Sequence, residues 1–367
     1  MILVTGGLGY IGSHICLELL KQEKEFCIVD DLSNGHISTV KYLENRFDKK
    51  IKYYIVDMKN YNELKQVFLF NEIDYVIHLA GYKSVIESID QPCKYYENNI
   101  MSTLNLLKCM EEFNCNKIVF SSSASVYGEA EAPVSENSSL NPMNPYAKSK
   151  YIIEEILKDY YEYKNFKICI LRYFNPIGSE ENGFLGDVPN DNCCNVMSYI
   201  IRTALGQEEI FEREFGKKFK LQEDTALRTQ KTFKIYGDKF ETKDGTSIRD
   251  FVHVVDLANV HISALGLLQI TDSRTYEVFN IGTGNGFTIK ELLEAFQKVN
   301  QLEIPYEIVD ARQGEIPISY TSTTKASLLL NWNPKKTLED MCKDSFKFMI
   351  NYIKSEGKDY SEYGREK

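Results

Sequence analysis

Short runs of apolar residues recur through the first half of the chain, and longer stretches with a helical repeat separate them. The short runs lack the polar alternation of a half-exposed strand, and they therefore predict buried strands. They lie at residues 2–4, 26–29, 52–56, 75–79, 118–120 and 168–171. Stretches such as IGSHICLELLKQ and IMSTLNLLKCMEEF carry apolar residues three and four positions apart, which is typical of helices. This alternation predicts repeated βαβ units and hence a parallel sheet.

The alternation covers residues 1–174 and weakens from Asn175, where the turn-rich stretch NPIGSEENGFLGDVPNDNCC begins. We therefore predict an α/β fold in which residues 1–174 form a Rossmann-type, doubly wound domain with a parallel sheet. Residues 175–367 are predicted to form a smaller C-terminal α/β substrate domain, some segments of which could pack back on the first domain. Within it, residues 207–234 are dense in alternating charge and predict an inserted surface loop or short helices.

The composition of the chain limits the kinds of molecule that it is expected to bind. The 367 residues carry a formal net charge of -10 and no long basic run, which argues against nucleic acid or an anionic membrane as the main partner. No apolar run approaches the length of a membrane span, and the opening MILVTGG predicts a strand and turn rather than a secretion signal. Nine cysteines without a CxxC spacing favour buried reduced thiols over disulfides or a metal site. These features predict a soluble, cytoplasmic protein without a bound metal.

The first chemical motif is the glycine-rich stretch VTGGLGYIGSH at residues 4–14. Gly7, Gly9 and Gly12 satisfy G-x-G-x-x-G, and Gly6, Gly9 and Gly12 satisfy a related spacing of three. Such glycines permit a tight turn, close approach of the backbone to a pyrophosphate, and close packing of the following helix. The alternative is a purely structural turn, but the position between a predicted strand and a predicted helix favours a dinucleotide site.

The acidic pair Asp30 and Asp31 stands at the end of the second predicted strand. An acid at that position hydrogen-bonds the adenosine ribose in dinucleotide-binding domains. The two negative charges would repel a 2′-phosphate, so NAD is favoured over NADP as the cofactor.

The stretch NPYAKSK at residues 144–150 places Tyr146 and Lys150 four positions apart. Asn144 suits a helix cap and Pro145 suits a first helical position, so the segment predicts a helix that begins here. On a helix the two side chains lie on one face, about 5 to 6 Å apart, where the ammonium can act on the phenol. The alternative is an ordinary surface tyrosine beside a solvated lysine.

Several motifs together carry a resemblance to a known family. They are TGGLGYIGSH, HLAGYKSVIES, SSSASVYG, NPYAKSK, LRYFNPIG and DGTSIRDFVHVVDLA, in this order. In order and spacing they resemble the extended short-chain dehydrogenase/reductase superfamily, and within it the UDP-galactose 4-epimerases (UDP-glucose 4-epimerases). The resemblance extends from residue 1 to about residue 332 and is interrupted by the charged insertion.

The resemblance implies catalytic roles for Ser123, Tyr146 and Lys150. In this family the tyrosine is the base, the lysine contacts the nicotinamide ribose and lowers the tyrosine pKa, and the serine hydrogen-bonds the sugar 4-hydroxyl. Because a free phenol titrates near 10, work at neutral pH requires its pKa to fall by about 3 units, through the ammonium and the oxidised nicotinamide ring. The alternative for Ser123 is a strand-end serine that caps the backbone.

The resemblance also implies binding residues. The NAD contacts would be Gly6, Gly9, Tyr10, Ile11, Gly12, Asp30, Asp31, Asp57, Met58, Leu79, Ala80, Gly81, Lys83, Asn98, Ser121, Tyr146, Lys150 and Tyr173. The UDP-sugar contacts would be Lys83, Ser123, Tyr146, Asn175, Asn195, Val196, Tyr236, Arg249, Arg312, Glu315 and Ser319. Arg249 and Arg312 match the arginines that hold the diphosphate, a role that suits the paired donors of a guanidinium. Glu315 stands where relatives commonly have an aspartate on the uridine ribose.

The implied reaction is epimerisation at C4 of the sugar in UDP-galactose and UDP-glucose. Tyr146 removes the O4 proton while C4 gives its hydride to NAD, the 4-keto sugar turns over, and the hydride returns to its opposite face. A small residue at Ser319 would make room for an N-acetyl group at C2, so UDP-GlcNAc and UDP-GalNAc are also expected substrates. A homodimer is implied through helices within residues 91–113 and 146–164.

Two other functions stay open. A nucleotide-sugar dehydratase or decarboxylase of the same superfamily would need an added acid or base after the serine motif, where this chain has Ala124 and Ser125. A non-catalytic NAD-sensing protein could keep the glycine turn, but it would not need Ser123, Tyr146 and Lys150 together with two arginines.

Overall fold

The computed structural model describes residues 1–188, 195–216, 230–271, 274–312 and 314–355. The strands of these residues are β1 Ile2–Thr5, β2 Phe26–Asp30, β3 Lys52–Ile55, β4 Tyr75–His78, β5 Lys117–Ser123, β6 Lys167–Tyr173, β7 Asn175–Ile177, β8 Phe233–Tyr236, β9 Ile248–His253, β10 Tyr276–Ile281, β11 Gly286–Thr288, β12 Tyr306–Val309 and β13 Ile318–Ser319. The α-helices are α1 Tyr10–Lys21, α2 Ser38–Phe47, α3 Tyr61–Phe70, α4 Val85–Asp90, α5 Pro92–Tyr96, α6 Ser102–Glu112, α7 Pro145–Lys164, α8 Val196–Leu205, α9 Glu208–Phe215, α10 Val254–Ile270, α11 Ile289–Asn300, α12 Thr324–Leu330 and α13 Leu338–Lys354. A π-helical turn, Glu97–Met101, precedes α6, and a 3-10 turn, Ala124–Tyr127, follows β5.

Seven parallel strands form the main sheet, in the order β10-β6-β5-β4-β1-β2-β3. One hydrophobic core lies between the sheet and α1, α2, α10 and α12, and a second lies on the opposite face under α3, α6 and α7. Helices on both faces of a parallel sheet make the doubly wound arrangement that the βαβ pattern predicts. The predicted Rossmann-type fold class is confirmed.

The main sheet also takes up a segment from the second half of the chain. Strand β10 pairs in parallel with β6, from Tyr276 opposite Ile168 to Ile281 opposite Tyr173, and α10 packs against α1. Strand β6 buries most of its side chains and needs a neighbour on each side, and β10 supplies the neighbour opposite β5.

The predicted strand at residues 52–56 forms at Lys52–Ile55, but the prediction that it is buried is wrong. The side chains of Lys52, Tyr53 and Ile55 are exposed. Strand β3 is the last strand of the sheet, so it has one hydrogen-bonded neighbour, β2, rather than two. The apolar run therefore predicts a strand here, but it does not determine whether the side chains of that strand are buried.

A smaller region builds on β7, β8, β9 and β11–β13. Strand β9 pairs with β7, β11 and β13, and β12 pairs with β8. A third hydrophobic core joins these strands to α8, α11 and α13. Helix α9 and the start of β8 occupy parts of the predicted charged insertion, and residues 217–229 of it lie outside the described residues. Among the helices that the structure describes, none is long and apolar enough to cross a membrane.

Candidate active site

A cleft lies where β1, β2 and β4 end, the edge at which doubly wound sheets bind ligands. The helices α1, α2 and α7 and the loop at residues 178–188 close around it. The predicted NAD contacts that line this cleft are Gly6, Gly9, Tyr10, Ile11, Gly12, Asp30, Asp31, Asp57, Met58, Leu79, Ala80, Gly81, Lys83, Asn98, Tyr146, Lys150 and Tyr173. The structure therefore brings together residues from the first half of the chain that the sequence scatters over more than one hundred and sixty positions.

The glycine turn has the shape that a dinucleotide requires. Gly6 has a φ of +68°, and a β-carbon on it would lie 2.9 Å from the backbone nitrogen of Ala80. A β-carbon on Gly12 would lie 2.1 Å from the carbonyl oxygen of Gly6. Helix α1 begins at Tyr10, so its N-terminus opens directly on the cleft, where backbone N–H groups favour an anion. These residues fit the pyrophosphate of NAD.

Asp30 lies at the rim of the same cleft with both carboxylate oxygens held. Its Oδ2 accepts a hydrogen bond from the backbone nitrogen of Leu8 at 2.9 Å, and its Oδ1 accepts one from that of Leu32 at 2.9 Å. Burial raises the pKa of Asp30, and the two backbone N–H groups oppose this rise. The carboxylate is thus a fixed acceptor that ties β2 to the glycine turn, and it fits the ribose-binding acid of a dinucleotide domain.

The predicted catalytic helix α7 begins as expected. The side chain of Asn144 caps it, and Tyr146 and Lys150 are only 8% and 5% exposed. This burial excludes the alternative of a surface tyrosine and a solvated lysine. Burial raises the pKa of Tyr146, while a hydrogen bond with Ser123 and the charge of Lys83 lower it. Ser123 at the end of β5 therefore lies in reach of the phenol, as its predicted role requires.

The side chain of Lys150 is held by contacts with β5. Its Nζ donates to the carbonyl oxygen of Ser121 at 2.8 Å and lies 4.9 Å from the ring centre of Phe120. Burial lowers the pKa of Lys150 to about 8, and the carboxylate of Glu154 opposes this. The hydroxyl of Ser121 hydrogen-bonds His261 at 3.0 Å. Of the predicted NAD contacts, Ser121 thus lies behind Lys150 rather than along the cleft wall.

The predicted diphosphate and uridine residues form a second cluster in the smaller region. Arg249 donates from Nη2 to Oε1 of Glu315 at 2.5 Å, and its backbone pairs with Ser319 between β9 and β13. The guanidinium of Arg312 lies 3.7 Å from the ring centre of Tyr236. Burial lowers the pKa of Arg249, and Glu315 opposes this. The backbone nitrogen of Glu315 donates to the carbonyl of Arg312 at 3.1 Å, so one turn carries a member of each pair. The paired donors of two arginines suit a nucleoside diphosphate.

Two predicted sugar-site asparagines bind structural partners. The side-chain nitrogen of Asn195 donates to Oδ2 of Asp187 at 2.6 Å, and its oxygen caps α8, which begins at Val196. Lys83 forms an ion pair with the same aspartate at 3.4 Å. Asn175 donates to a backbone carbonyl of β9 at 3.0 Å, so it anchors β7 beside the strand that carries the arginine cluster.

Sequence reasoning missed residues that shape the cleft. Asp187 joins Lys83 to Asn195, and it lay inside a stretch that showed only turn residues. Asn99, which is buried, accepts from the backbone of Tyr82 at 2.8 Å and donates to Ser149 at 3.0 Å. It therefore ties the loop after β4 to the catalytic helix. The repeated asparagine in YENNIM was the one signal that could have drawn attention to it.

Comparison with known proteins places this geometry in a family. A model of the NAD dependent epimerase/dehydratase family matches residues 2–282. The chain belongs to this family. It is 39% identical over 354 residues to a UDP-glucose 4-epimerase of Bacillus subtilis (strain 168), covering 96% of this chain and 97% of that protein.

Solved structures of family members agree with this membership. The fold is similar to that of the UDP-glucose 4-epimerase of Bifidobacterium longum in complex with NAD+ and UDP, with a TM-score of 0.85 and 36% identity over 96% of this chain and 98% of that chain. It is also similar to the UDP-Glc/GlcNAc 4-epimerase of Campylobacter jejuni, with a TM-score of 0.77 and 34% identity over 95% and 99% of the two chains. The predicted superfamily, the enzyme class and NAD as cofactor are confirmed.

Proposed function

We propose that this family member interconverts UDP-galactose and UDP-glucose by C4 epimerisation, with NAD held in the cleft. The observation that carries the proposal is the buried Tyr146, which hydrogen-bonds Ser123 and stands one helical turn before Lys150 in the wall of the cleft. The glycine turn and Asp30 supply a matching dinucleotide site. The similarity to UDP-glucose 4-epimerases supports the choice of sugar.

The chain's own residues account for proton transfer and for anchoring. Tyr146 takes the proton of the sugar 4-hydroxyl and later returns it, and Ser123 hydrogen-bonds the phenol oxygen during both steps. The charge of Lys83 lowers the pKa of Tyr146, and the Lys150 ammonium is oriented by the carbonyl of Ser121. When bound, NAD accepts the hydride from C4 and gives it back. Arg249 and Arg312 hold the diphosphate, so the 4-keto sugar can turn over without leaving the site.

The test is an assay of the purified protein with UDP-galactose, following UDP-glucose without added NAD, beside a Tyr146→Phe variant. We expect turnover by the parent protein and a loss of about a hundredfold or more in kcat for the variant, because the base is removed. The variant keeps its ring in place, so its fold and its NAD content should match those of the parent. A folded, NAD-loaded parent that forms no UDP-glucose would instead favour a dehydratase or a decarboxylase of the same superfamily.

We also propose that N-acetylated UDP-sugars are substrates. Ser319 is a small side chain that pairs with Arg249 across β13 and β9, and it therefore lies beside the proposed diphosphate site. The similarity to a UDP-Glc/GlcNAc 4-epimerase supports this proposal. We expect turnover of UDP-GlcNAc by the parent, and its selective loss in Ser319→Tyr while UDP-galactose is still converted. A parent that converts UDP-galactose but not UDP-GlcNAc would contradict the proposal.

The proposed division of labour follows the two regions of the fold. Residues 1–174 hold NAD, and the region from residue 175 onward holds the UDP-sugar, with β10 and α10 returned to the first sheet. We propose a cytoplasmic location, which the free thiols of the described cysteines support. Six of these cysteines are buried and Cys93 is exposed, while Cys193 and Cys194 lie outside the described residues.

We propose a homodimer formed through α4–α7 and the π-helical turn. The apolar side chains of Ile89, Met101, Leu104 and Ile152 on these packed helices are exposed, Ile89 by 60%. Burying them against a second copy would remove this apolar surface from water. Light scattering should give the mass of a dimer for the parent and that of a monomer for Met101→Glu combined with Leu104→Glu. A monomeric parent would contradict the proposal.

A further inference from the structure

The loop at residues 178–188, called the strap below, crosses the cleft without any role predicted from the sequence. Phe184, Leu185, Gly186, Asp187 and Val188 of the strap line the same cleft as the glycine turn and Tyr146. Helix α2 lines the cleft through Ser38, Thr39 and Tyr42. The strap and α2 therefore form walls of the proposed NAD site.

Three side chains, called the clasp below, join these two walls. They are Tyr42 and Arg46 of α2 and Glu180 of the strap. The Tyr42 hydroxyl donates to Oε2 of Glu180 at 2.9 Å, Arg46 forms an ion pair with Oε1, and Arg46 also donates to the Tyr42 hydroxyl at 2.8 Å. Glu180 is 4% exposed and Tyr42 is 2% exposed. A carboxylate this deeply buried is tolerated because both of its oxygens accept hydrogen bonds.

Ring packing extends the contact into the cleft. The ring centres of Tyr42 and Phe184 lie 5.6 Å apart, and both residues line the cleft. Inside the strap, Glu180 accepts from Gly183 through its carbonyl at 2.8 Å and donates from its backbone nitrogen to Leu185 at 3.0 Å. The part of the strap that carries Glu180 is thus a turn closed by two hydrogen bonds.

The other side of the strap is attached to the C-terminal helix α13. Ser179 donates to the carbonyl of Asp344 at 2.5 Å, and Lys347 donates to the carbonyl of Glu181 at 2.8 Å. Asn351 donates to the carbonyl of Gly183 at 3.1 Å. With α13 fixed in the third hydrophobic core, the clasp joins the strap to the dinucleotide-binding sheet through α2. Two further contacts join the strap to the same region, the hydrogen bond from the Tyr10 hydroxyl to the carbonyl of Gly178 at 2.7 Å and the Lys83–Asp187 ion pair.

We propose that Tyr42, Arg46 and Glu180 are positioning residues that slow the release of NAD by holding the strap across the cleft. The proposal rests on NAD binding in this cleft and not on the identity of the sugar. An enzyme that returns the hydride within one turnover has no need to exchange its cofactor, so slow release is compatible with catalysis. Opening the strap requires the buried ion pair and the Tyr42 hydrogen bond to break, which slows dissociation more than association.

The test measures NAD release directly. The holoprotein is loaded with radiolabelled NAD, chased with unlabelled NAD, and filtered at intervals, for the parent and for Tyr42→Phe, Arg46→Met and Glu180→Gln. We expect release to be faster by about tenfold in Arg46→Met, equal to about 1.4 kcal/mol, and by smaller factors in the other two. The kcat of Arg46→Met and Glu180→Gln at saturating NAD should stay near that of the parent, because neither residue lines the cleft.

Lys325→Met is the matched control. Lys325 is a partly buried cation like Arg46, and it also pairs with a carboxylate, Glu277 at 2.8 Å, and donates to a backbone carbonyl, but it lies on α12, away from the cleft lining. The Lys325→Met variant should be less stable than the parent but should not release NAD faster. Release within about twofold of the parent in folded Arg46→Met and Glu180→Gln would overturn the proposal. If Arg46→Met does not fold, Tyr42→Phe decides, because it removes only a hydroxyl.

The readouts separate this proposal from the proposed activity. Faster NAD release from the clasp variants of a protein that does not convert UDP-galactose would support the clasp and reject the epimerase. Unchanged NAD release from the clasp variants of an active epimerase would reject the clasp and support the proposed activity.

Discussion

At the scale of a residue, the proposed catalytic tyrosine shows how much a local motif can predict. The spacing of Tyr146 and Lys150 predicts a neighbouring ammonium, and the structure buries both side chains in the cleft wall. Yet burial raises the pKa of Tyr146, and the groups that oppose this rise are Ser123 and Lys83. A positive nicotinamide ring beside the phenol would act in the same direction as these two groups and lower the pKa further.

Removal of the Ser123 hydroxyl should shift the pH profile. The hydrogen bond from Ser123 lowers the pKa of Tyr146, so Ser123→Ala raises that pKa and leaves less phenolate at neutral pH. A hydrogen bond to a charged group is worth about 1.5 to 3 kcal/mol, so the acidic limb of kcat should move up by about 1 to 2 pH units. The loss of activity should be larger at pH 7 than at pH 9. Equal losses at both pH values would contradict this role, and Ser123→Thr serves as the control that keeps the hydroxyl.

At the scale of elements, the catalytic helix and the strands beside it are joined by a buried ion pair. Glu154 lies one turn after Lys150 on α7 and accepts from Arg172 of β6 through Nε at 3.0 Å and Nη2 at 2.5 Å. Arg172 also donates to the hydroxyl of Tyr127 at 2.8 Å, and Ser122 of β5 hydrogen-bonds Glu154. This network sets the position of α7 against β5 and β6, and α7 and β5 carry the three proposed catalytic residues.

Breaking that pair from either side should destabilise the protein strongly. Arg172→Met leaves a buried carboxylate without its partner, and Glu154→Leu leaves a buried guanidinium, so each should lower the free energy of unfolding by about 3 to 5 kcal/mol. The double variant should lose less than the sum of the two, because neither charge remains. Urea denaturation measures the free energy of unfolding of the two single variants and of the double variant. Single variants that lose under about 1 kcal/mol would show that the pair has little part in stability.

The ends of the helices and strands were predicted better than the burial of their side chains. Local signals mark where α7 starts, since Asn144 caps the helix and Pro145 occupies its first position. The burial of β3 was predicted wrongly because an apolar run does not reveal which strand ends the sheet. The π-helical turn before α6 was also missed, since its sequence continues the helical repeat of the residues that follow.

At the scale of the whole molecule, four histidines of the described residues are fully buried. Burial lowers the pKa values of His14, His78 and His261 to about 4, 3 and 4. His78 shows how the neutral form is held. It hydrogen-bonds Thr5 of β1 at 2.7 Å and Thr103 of α6 at 2.9 Å, and so it joins a central strand to a helix of the sheet's outer layer.

Acid should therefore weaken the fold before its carboxylates titrate. The unfolded histidines bind protons near pH 6.5, while the folded ones stay neutral down to about pH 4, so stability present above 6.5 is lost as the pH falls. Each histidine contributes up to about 1.4 kcal/mol per pH unit between pH 6 and pH 5. Urea denaturation of the holoprotein at these pH values, beside His261→Gln, measures the slope. We expect the free energy of unfolding of the variant to fall less steeply with decreasing pH, by the contribution of about one histidine. Equal slopes for the variant and the parent would contradict the assignment.

The sequence by itself determined the features that depend on neighbours along the chain. These are the βαβ alternation, the glycine turn after β1, the acid at the end of β2 and the spacing of Tyr146 and Lys150. Each is settled within a few turns of chain, where helix and strand geometry leave little choice. The resemblance to a family added the more distant arginines.

Tertiary structure alone decided which distant residues meet. Arg46 and Glu180 are 134 positions apart, Lys83 and Asp187 are 104 apart, and β10 joins a sheet that begins at the other end of the chain. Such pairs have no periodic signature, because an ion pair needs only that two segments pass within a few ångström of each other. The clasp across the cleft belongs to this class, and for this reason it became visible only in the folded chain.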